Sequence, residues 1–173
     1  SFTIDTVKPV LTLVTDVTTP TNVTTPSYVF SSNEAGTITY GGSCGSSTTS
    51  ATSGNNTVIL TQPDNSTALS EGQYGNCSVK VTDNATNESN TLTVSSFTID
   101  ITAPIVDNVS SSTAAGAYFP GDNITITVGF NETVYVDNSS GNPIIQLAAR
   151  SDNNSYANYI SGNSTSILSF LYT

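Results

Sequence analysis

The chain has 173 residues, with 3 Lys and Arg against 13 Asp and Glu, a formal net charge of −10, no His, no Trp, no Met and 2 Cys. This inventory excludes a thiolate–imidazole zinc site, a Ser-His-Asp triad and a Cys-His pair, and the lack of a Lys/Arg surface excludes a binder of nucleic-acid phosphates. Ser and Thr number 55 while Val, Ile, Leu and Phe number 41, so the chain is polar, yet its apolar fraction exceeds the roughly 20% below which chains read as disordered.

Ser1-Phe2-Thr3-Ile4-Asp5 is strand-like, with neither a basic region nor an apolar signal core, so any signal peptide has been removed or lies outside these residues. No window of 18 apolar residues occurs that would read as a membrane-spanning helix. Thr37-Ile38-Thr39-Tyr40 alternates polar and apolar, as a strand with one buried face must. Thr57-Val58-Ile59-Leu60 is a second candidate, and Thr91-Leu92-Thr93-Val94 a third. Between those two, Cys77-Ser78-Val79-Lys80-Val81-Thr82 sets Cys77, Val79 and Val81 on one face. Gly41-Gly42, Gly54-Asn55-Asn56 and Pro63-Asp64-Asn65 punctuate these strands as turns. Beyond Asp100, Ile124, Ile126, Val128 and Phe130 form an apolar stripe, continued by Val134 and Val136, then Ile145 and Leu147, and finally Leu168, Phe170 and Tyr172. No stretch has a convincing helical period.

Ser1-Phe2-Thr3-Ile4-Asp5 recurs unchanged at Ser96-Phe97-Thr98-Ile99-Asp100, and the match extends weakly to Pro9 with Pro104 and to Val10-Leu11 with Ile105-Val106. The 95-residue period is close to the ~100 residues of an immunoglobulin-like sandwich. The expected architecture is therefore all-β: two tandem immunoglobulin-like β-sandwich modules, the second incomplete. Residues 6–100 form the first and residues 101–173 the second, while residues 1–5 are equivalent to the last strand of a preceding module.

Three stretches of residues 1–100 resemble the bacterial immunoglobulin-like (Big-type) repeats of large surface and adhesin proteins. They are Ser31-Ser32-Asn33-Glu34-Ala35-Gly36-Thr37-Ile38-Thr39-Tyr40, Val81-Thr82-Asp83-Asn84-Ala85-Thr86-Asn87 and Phe97-Thr98-Ile99-Asp100. Residues 101–173 resemble another such module around Thr102-Ala103-Pro104, Pro120-Gly121-Asp122 and Ile124-Thr125-Ile126-Thr127-Val128. One departure is Thr86, which stands where the bacterial pattern usually has Gly and thereby creates a sequon. The resemblance implies a stalk, adhesin or filament, and structural calcium with Asp83, Asp100 and Asp122 as candidate ligands. Asp5 would be the equivalent linker residue at the preceding junction. The alternative for these residues is an ordinary turn Asp that bonds its own backbone.

Cys44 and Cys77 lie in opposite halves of the first module. Two core-facing cysteines on different strands read as a disulfide, which persists only in oxidising surroundings; two free buried thiols are the alternative. Asn-x-Ser/Thr occurs at Asn22, Asn55, Asn65, Asn76, Asn84, Asn87, Asn108, Asn123, Asn131, Asn138, Asn153 and Asn163. That is 12 of 18 asparagines, where random placement in this Ser/Thr-rich chain gives about 6. The excess points to N-linked glycans, which would solubilise a surface poor in charge.

The acids are dispersed and lack cleft partners, so the chain is expected to be no enzyme and to require no cofactor; N-linked glycans and structural calcium are the groups it could carry. The expected function is a structural subunit of a glycosylated extracellular filament or cell-surface stalk, arrayed head to tail. The alternative is a calcium-stiffened adhesin binding a carbohydrate or protein, for which Tyr156 and Tyr159 are the candidate aromatic platform, although core or strand-edge places are the plainer use of both. A secreted hydrolase's accessory domain has only fold analogy behind it. For assembly, the expected device is strand exchange, with Phe2 and Ile4 of one unit filling the unfinished second module of the next. Continuity in a longer tandem chain is the competing reading.

Overall fold

The computed structural model describes residues 4–148 and 155–173. The chain divides into two compact units, Ser1–Ile101 and Thr102–Thr173. Among the described residues there is no helix, so none is long and apolar enough to cross a membrane.

The first unit comprises β1 (Leu11–Thr15), β2 (Ser27–Ser32), β3 (Gly36–Gly41), β4 (Ser50–Ala51), β5 (Gly54–Ile59), β6 (Gly72–Tyr74), β7 (Ser78–Thr82), β8 (Leu92–Thr93) and β9 (Phe97–Ile99). They form a three-stranded sheet ordered β1-β2-β5, a four-stranded sheet ordered β4-β3-β7-β8, and the pair β6-β9. Alternation decides what meets inside. Tyr28 and Phe30 of β2 and Val58 of β5 share one core with Ile38 of β3, Val79 and Val81 of β7, and Phe97 and Ile99 of β9. Burying each such side chain contributes about 1.5–3 kcal/mol, which is how a chain with few apolar residues still folds. The Phe97 ring also stacks on Tyr74, with centroids 5.2 Å apart.

Asparagine side chains tie down the segment leading into β1, where strand partners are lacking. Asn33 Oδ1 accepts the Val10 N–H at 2.6 Å. Asn90 clasps Leu11 from both sides, its Oδ1 accepting Leu11 N–H at 2.8 Å and its Nδ2 donating to Leu11 O at 3.2 Å. Upstream, Ile4 is 73% exposed and belongs to no strand of its own unit.

The second unit comprises β10 (Val106–Ser111), β11 (Ile124–Val134), β12 (Ile144–Leu147), β13 (Ser155–Ser161) and β14 (Thr165–Tyr172). These described strands form one antiparallel sheet ordered β10-β11-β14-β13-β12. Ile126, Val128 and Phe130 of β11, Leu168, Phe170 and Tyr172 of β14, and Ala157 and Tyr159 of β13 pack into one cluster. Of these, Val128, Ala157, Leu168 and Phe170 are buried and the others half-buried. Among the described residues no second sheet covers this unit.

The all-β, sandwich-like class is therefore what the chain adopts. The alternating stretches at Thr37, Thr57, Cys77, Thr91, Ile124, Ile145 and Leu168 all became strands. The strand pattern gave no sign of β1, β2, β4, β6, β10 or β13. β1, β10 and β13 have solvent on most of their residues, so alternation carries little signal there, and β4 and β6 are only two and three residues long. β2 is well buried, but Tyr28-Val29-Phe30 is an unbroken apolar run that hides its alternation. Of the expected assembly strand, Phe2 lies outside the described residues.

Candidate functional site

Cys44 and Cys77 are bonded, with Cα atoms 5.2 Å apart across a loop of 33 residues. The bridge is buried, 2% and 1% exposed at its two ends, because Cys77 continues the inward face of Val79 and Val81. Two sequon asparagines hold the loop around Cys44. Asn76 Oδ1 accepts the Ser43 N–H at 3.1 Å, and Asn65 Oδ1 accepts the Ser46 N–H at 3.0 Å. Gly42 occupies the left-handed region at φ 76°, and a Cβ there would collide with the Asn76 carbonyl.

The other sequons differ in exposure and in engagement. Asn22, Asn55, Asn65, Asn76, Asn84, Asn108, Asn123, Asn131, Asn138 and Asn163 are exposed, Asn87 is half-buried, and Asn153 lies outside the described residues. Where these side chains are engaged, the oxygen does the work: Asn131 Oδ1 accepts Ile105 N–H at 2.7 Å, and Asn163 Oδ1 accepts Val136 N–H at 2.8 Å. Asn123 Oδ1 accepts the Thr173 hydroxyl at 3.0 Å. A glycan modifies the nitrogen of the same amide.

Asn87 is arranged the other way. Its Nδ2 donates to Asp83 Oδ2 at 2.8 Å and to the Asp5 carbonyl at 3.2 Å. Its backbone N–H donates to Asp83 Oδ1 at 2.7 Å. The Asn87 side chain chiefly, with the backbone N–H groups of Asn87 and Ala85, holds the Asp83 carboxyl below its ordinary range.

Asp83 also marks the one acidic cluster found among the described residues. Its carboxylate, that of Glu34 and that of Asp5 have oxygens within 4.8 Å of one another, with Asp83 buried, Glu34 half-buried and Asp5 exposed. Glu34 follows β2 and Asp83 follows β7, so the two loops meet at one end of the sandwich, where the segment ahead of β1 brings Asp5. Three hard oxygen ligands are what calcium takes, with carbonyls or water completing a 6–8-coordinate shell. Like charges this close in the absence of a cation repel.

Two of the three were singled out by the sequence; Glu34 was not, although it sits in one of the stretches carrying the family resemblance. Of the other expected ligands, Asp122 belongs to the second unit, where its Oδ2 accepts the Phe119 N–H at 2.7 Å in its own turn. Asp100 follows β9, and its backbone N–H donates to Thr21 O at 2.9 Å.

The tyrosines divide. Tyr159 packs edge-on against Phe170, with centroids 5.8 Å apart, and is part of the sheet's apolar cluster. Tyr156 is 40% exposed on β13. Tyr28, wholly buried, has its phenol pushed up to about 12, mainly by burial and further by the negative charge of Asp16.

No known protein family, characterised protein or solved structure matches this chain.

Proposed function

We propose that this chain is a structural building block of an extracellular, N-glycosylated filament or stalk, repeated head to tail. The observation that carries this reading is the duplicated pentapeptide. In its second copy, Phe97 and Ile99 are 1% and 0% exposed, filling the core of the first unit as its last strand. In its first copy, Ile4 is 73% exposed and belongs to no strand. A segment with the sequence of a core strand is suited to complete another core. The second unit offers one, a sheet whose apolar face has half-buried Ile126, Phe130 and Tyr172. Joining that segment of one copy to the second unit's sheet in the next is a heterologous contact, which propagates as an open fibre.

The buried disulfide and the exposed sequons support an oxidising, glycosylating compartment. Electron microscopy of the native material tests the reading: linear arrays are expected, and isolated particles would oppose it. Ile4→Ser should leave the first unit's melting unchanged, since Ile4 is 73% exposed, while abolishing arrays. Arrays that persist in this variant would remove strand exchange and leave continuity in a longer tandem chain.

A second reading, a calcium-stiffened adhesin repeat with a carbohydrate or protein partner, is favoured by the Asp5, Glu34 and Asp83 cluster. Binding of the isolated chain to one glycan on an array would move the function from scaffold to receptor.

A further inference from the structure

Asn84 and Asn87 carry two sequons three residues apart on one turn, and the structure treats them differently. Asn84 is exposed, whereas the half-buried Asn87 spends its nitrogen on Asp83 and Asp5. Attaching a sugar to Nδ2 replaces one of its two hydrogens. A modified Asn87 could keep at most one of those two bonds, and the sugar would have to occupy the space between the Asp83 carboxylate and the segment ahead of β1.

The backbone between them supplies an independent observation. Thr86 has φ 70°, the left-handed region, where a β-branched residue is strained. The turn closes through Thr86 N–H to Asp83 O at 3.2 Å and Asp83 N–H to Asn87 O at 3.1 Å, and glycine would make it without strain. Glycine would lack one thing, the hydroxyl that makes Asn84 a glycan acceptor.

We infer that Asn84 carries an N-linked glycan and that Asn87 does not. Asn87 is a structural amide, tying the leading segment to the turn that bears Asp83. Thr86 is present for the chemistry of glycan transfer at Asn84, at the expense of a relaxed turn. The assignment rests on the glycosylated reading above and sharpens it, because it names one sequon that stays bare while its neighbour is filled.

Protein isolated from its own cells, reduced and alkylated at Cys44 and Cys77, and cut after Glu71 and Glu88 yields a peptide of residues 72–88 holding Asn76, Asn84 and Asn87. Electron-transfer fragmentation of that peptide places each sugar. A glycan on Asn84 with Asn87 bare is the expected result. A glycan on Asn87, or an empty Asn84 in protein whose other sequons are filled, overturns the inference. Unmodified asparagine at every sequon overturns the glycosylated reading itself, a separate outcome. In the Asn84→Gln variant, Asn87 should stay bare; transfer of the glycan to Asn87 would show that the turn does not protect it.

Discussion

Asn131 Oδ1 accepts the Ile105 N–H at 2.7 Å, and the Asn131 N–H returns a bond to Ile105 O at 3.0 Å. In the first unit Asn33 does the same to Val10, at 2.6 and 3.4 Å. Ile105 is Val10 displaced by the 95-residue period while Asn131 is 98 residues beyond Asn33, so the same two-bond clamp recurs with a shift of three residues. In each unit the clamp fixes the entry of the first strand. Asn33→Ala should cost about 1 kcal/mol in chemical denaturation. Asn131→Ala should raise amide exchange at Ile105, and unchanged protection there would mean that the side chain does not hold the segment.

Thr86→Gly relieves a β-branched residue from φ 70°. The left-handed conformation costs about 1–2 kcal/mol for an ordinary residue, and glycine loses part of that gain to its greater unfolded-state freedom. In protein made without glycosylation, a net gain of about 1 kcal/mol is expected. A loss of stability would show that the threonine side chain makes a compensating contact.

Acid should destabilise the first unit in a defined window. Thr67 chiefly, through its hydroxyl and its N–H at 2.8 Å, with the Ser66 N–H at 2.9 Å, lowers the Asp64 carboxyl from 3.8 to about 2. A folded value below the unfolded one contributes stability that is complete above pH ~4 and lost as the pH falls toward ~2. Asp83 shifts in the same direction. Thermal melts from pH 5 to pH 2 should show falling midpoints, with a shallower fall in Asp64→Asn. Parallel curves for the variant and the parent would remove Asp64 as a contributor.

How far the sequence spoke depends on burial. Val79 and Val81 lie on a strand with one face in the core, so their alternation gave both the strand and the direction of Cys77. β1 is buried only at Leu11, and its remaining pattern of Thr, Leu and Val carries no period. The turn chemistry was equally local: Asp64 and Asp122 each bond their own loops, as aspartates in turns do. What sequence reasoning could not reach was Glu34 beside Asp83. They lie 49 residues apart and are joined only because β3 and β7 pair, setting Thr37 opposite Thr82. Resemblance selected Asp83; the pairing register supplied its neighbour.

The disulfide gives a prediction independent of assembly. A bridge closing a loop of 33 residues stabilises by about 3–4 kcal/mol in the chain-entropy estimate. Cys44→Ala with Cys77→Ala should lose about that much, measured by denaturant unfolding. A loss below about 1 kcal/mol would mean that the hydrogen bonds from Asn65 and Asn76 hold the Ser43–Ser46 backbone unaided.

The acidic cluster makes the sharpest demand on experiment, because repulsion and cation binding predict opposite responses to one substitution. Asp5, Glu34 and Asp83 place three carboxylates within 4.8 Å. Where calcium fills the cluster, adding it raises the melting midpoint with concentration, since a ligand of the folded state alone stabilises by RT ln(1 + [L]/Kd). Glu34→Gln is the informative variant, because Asp83 is also needed to hold Asn87. In excess chelator, Glu34→Gln should melt above the parent, as one of three like charges is gone. In millimolar calcium the order should reverse, the parent gaining and the variant not. A parent whose midpoint is the same in calcium and in chelator would mean that no cation binds there, and the adhesin reading would lose the observation that favours it.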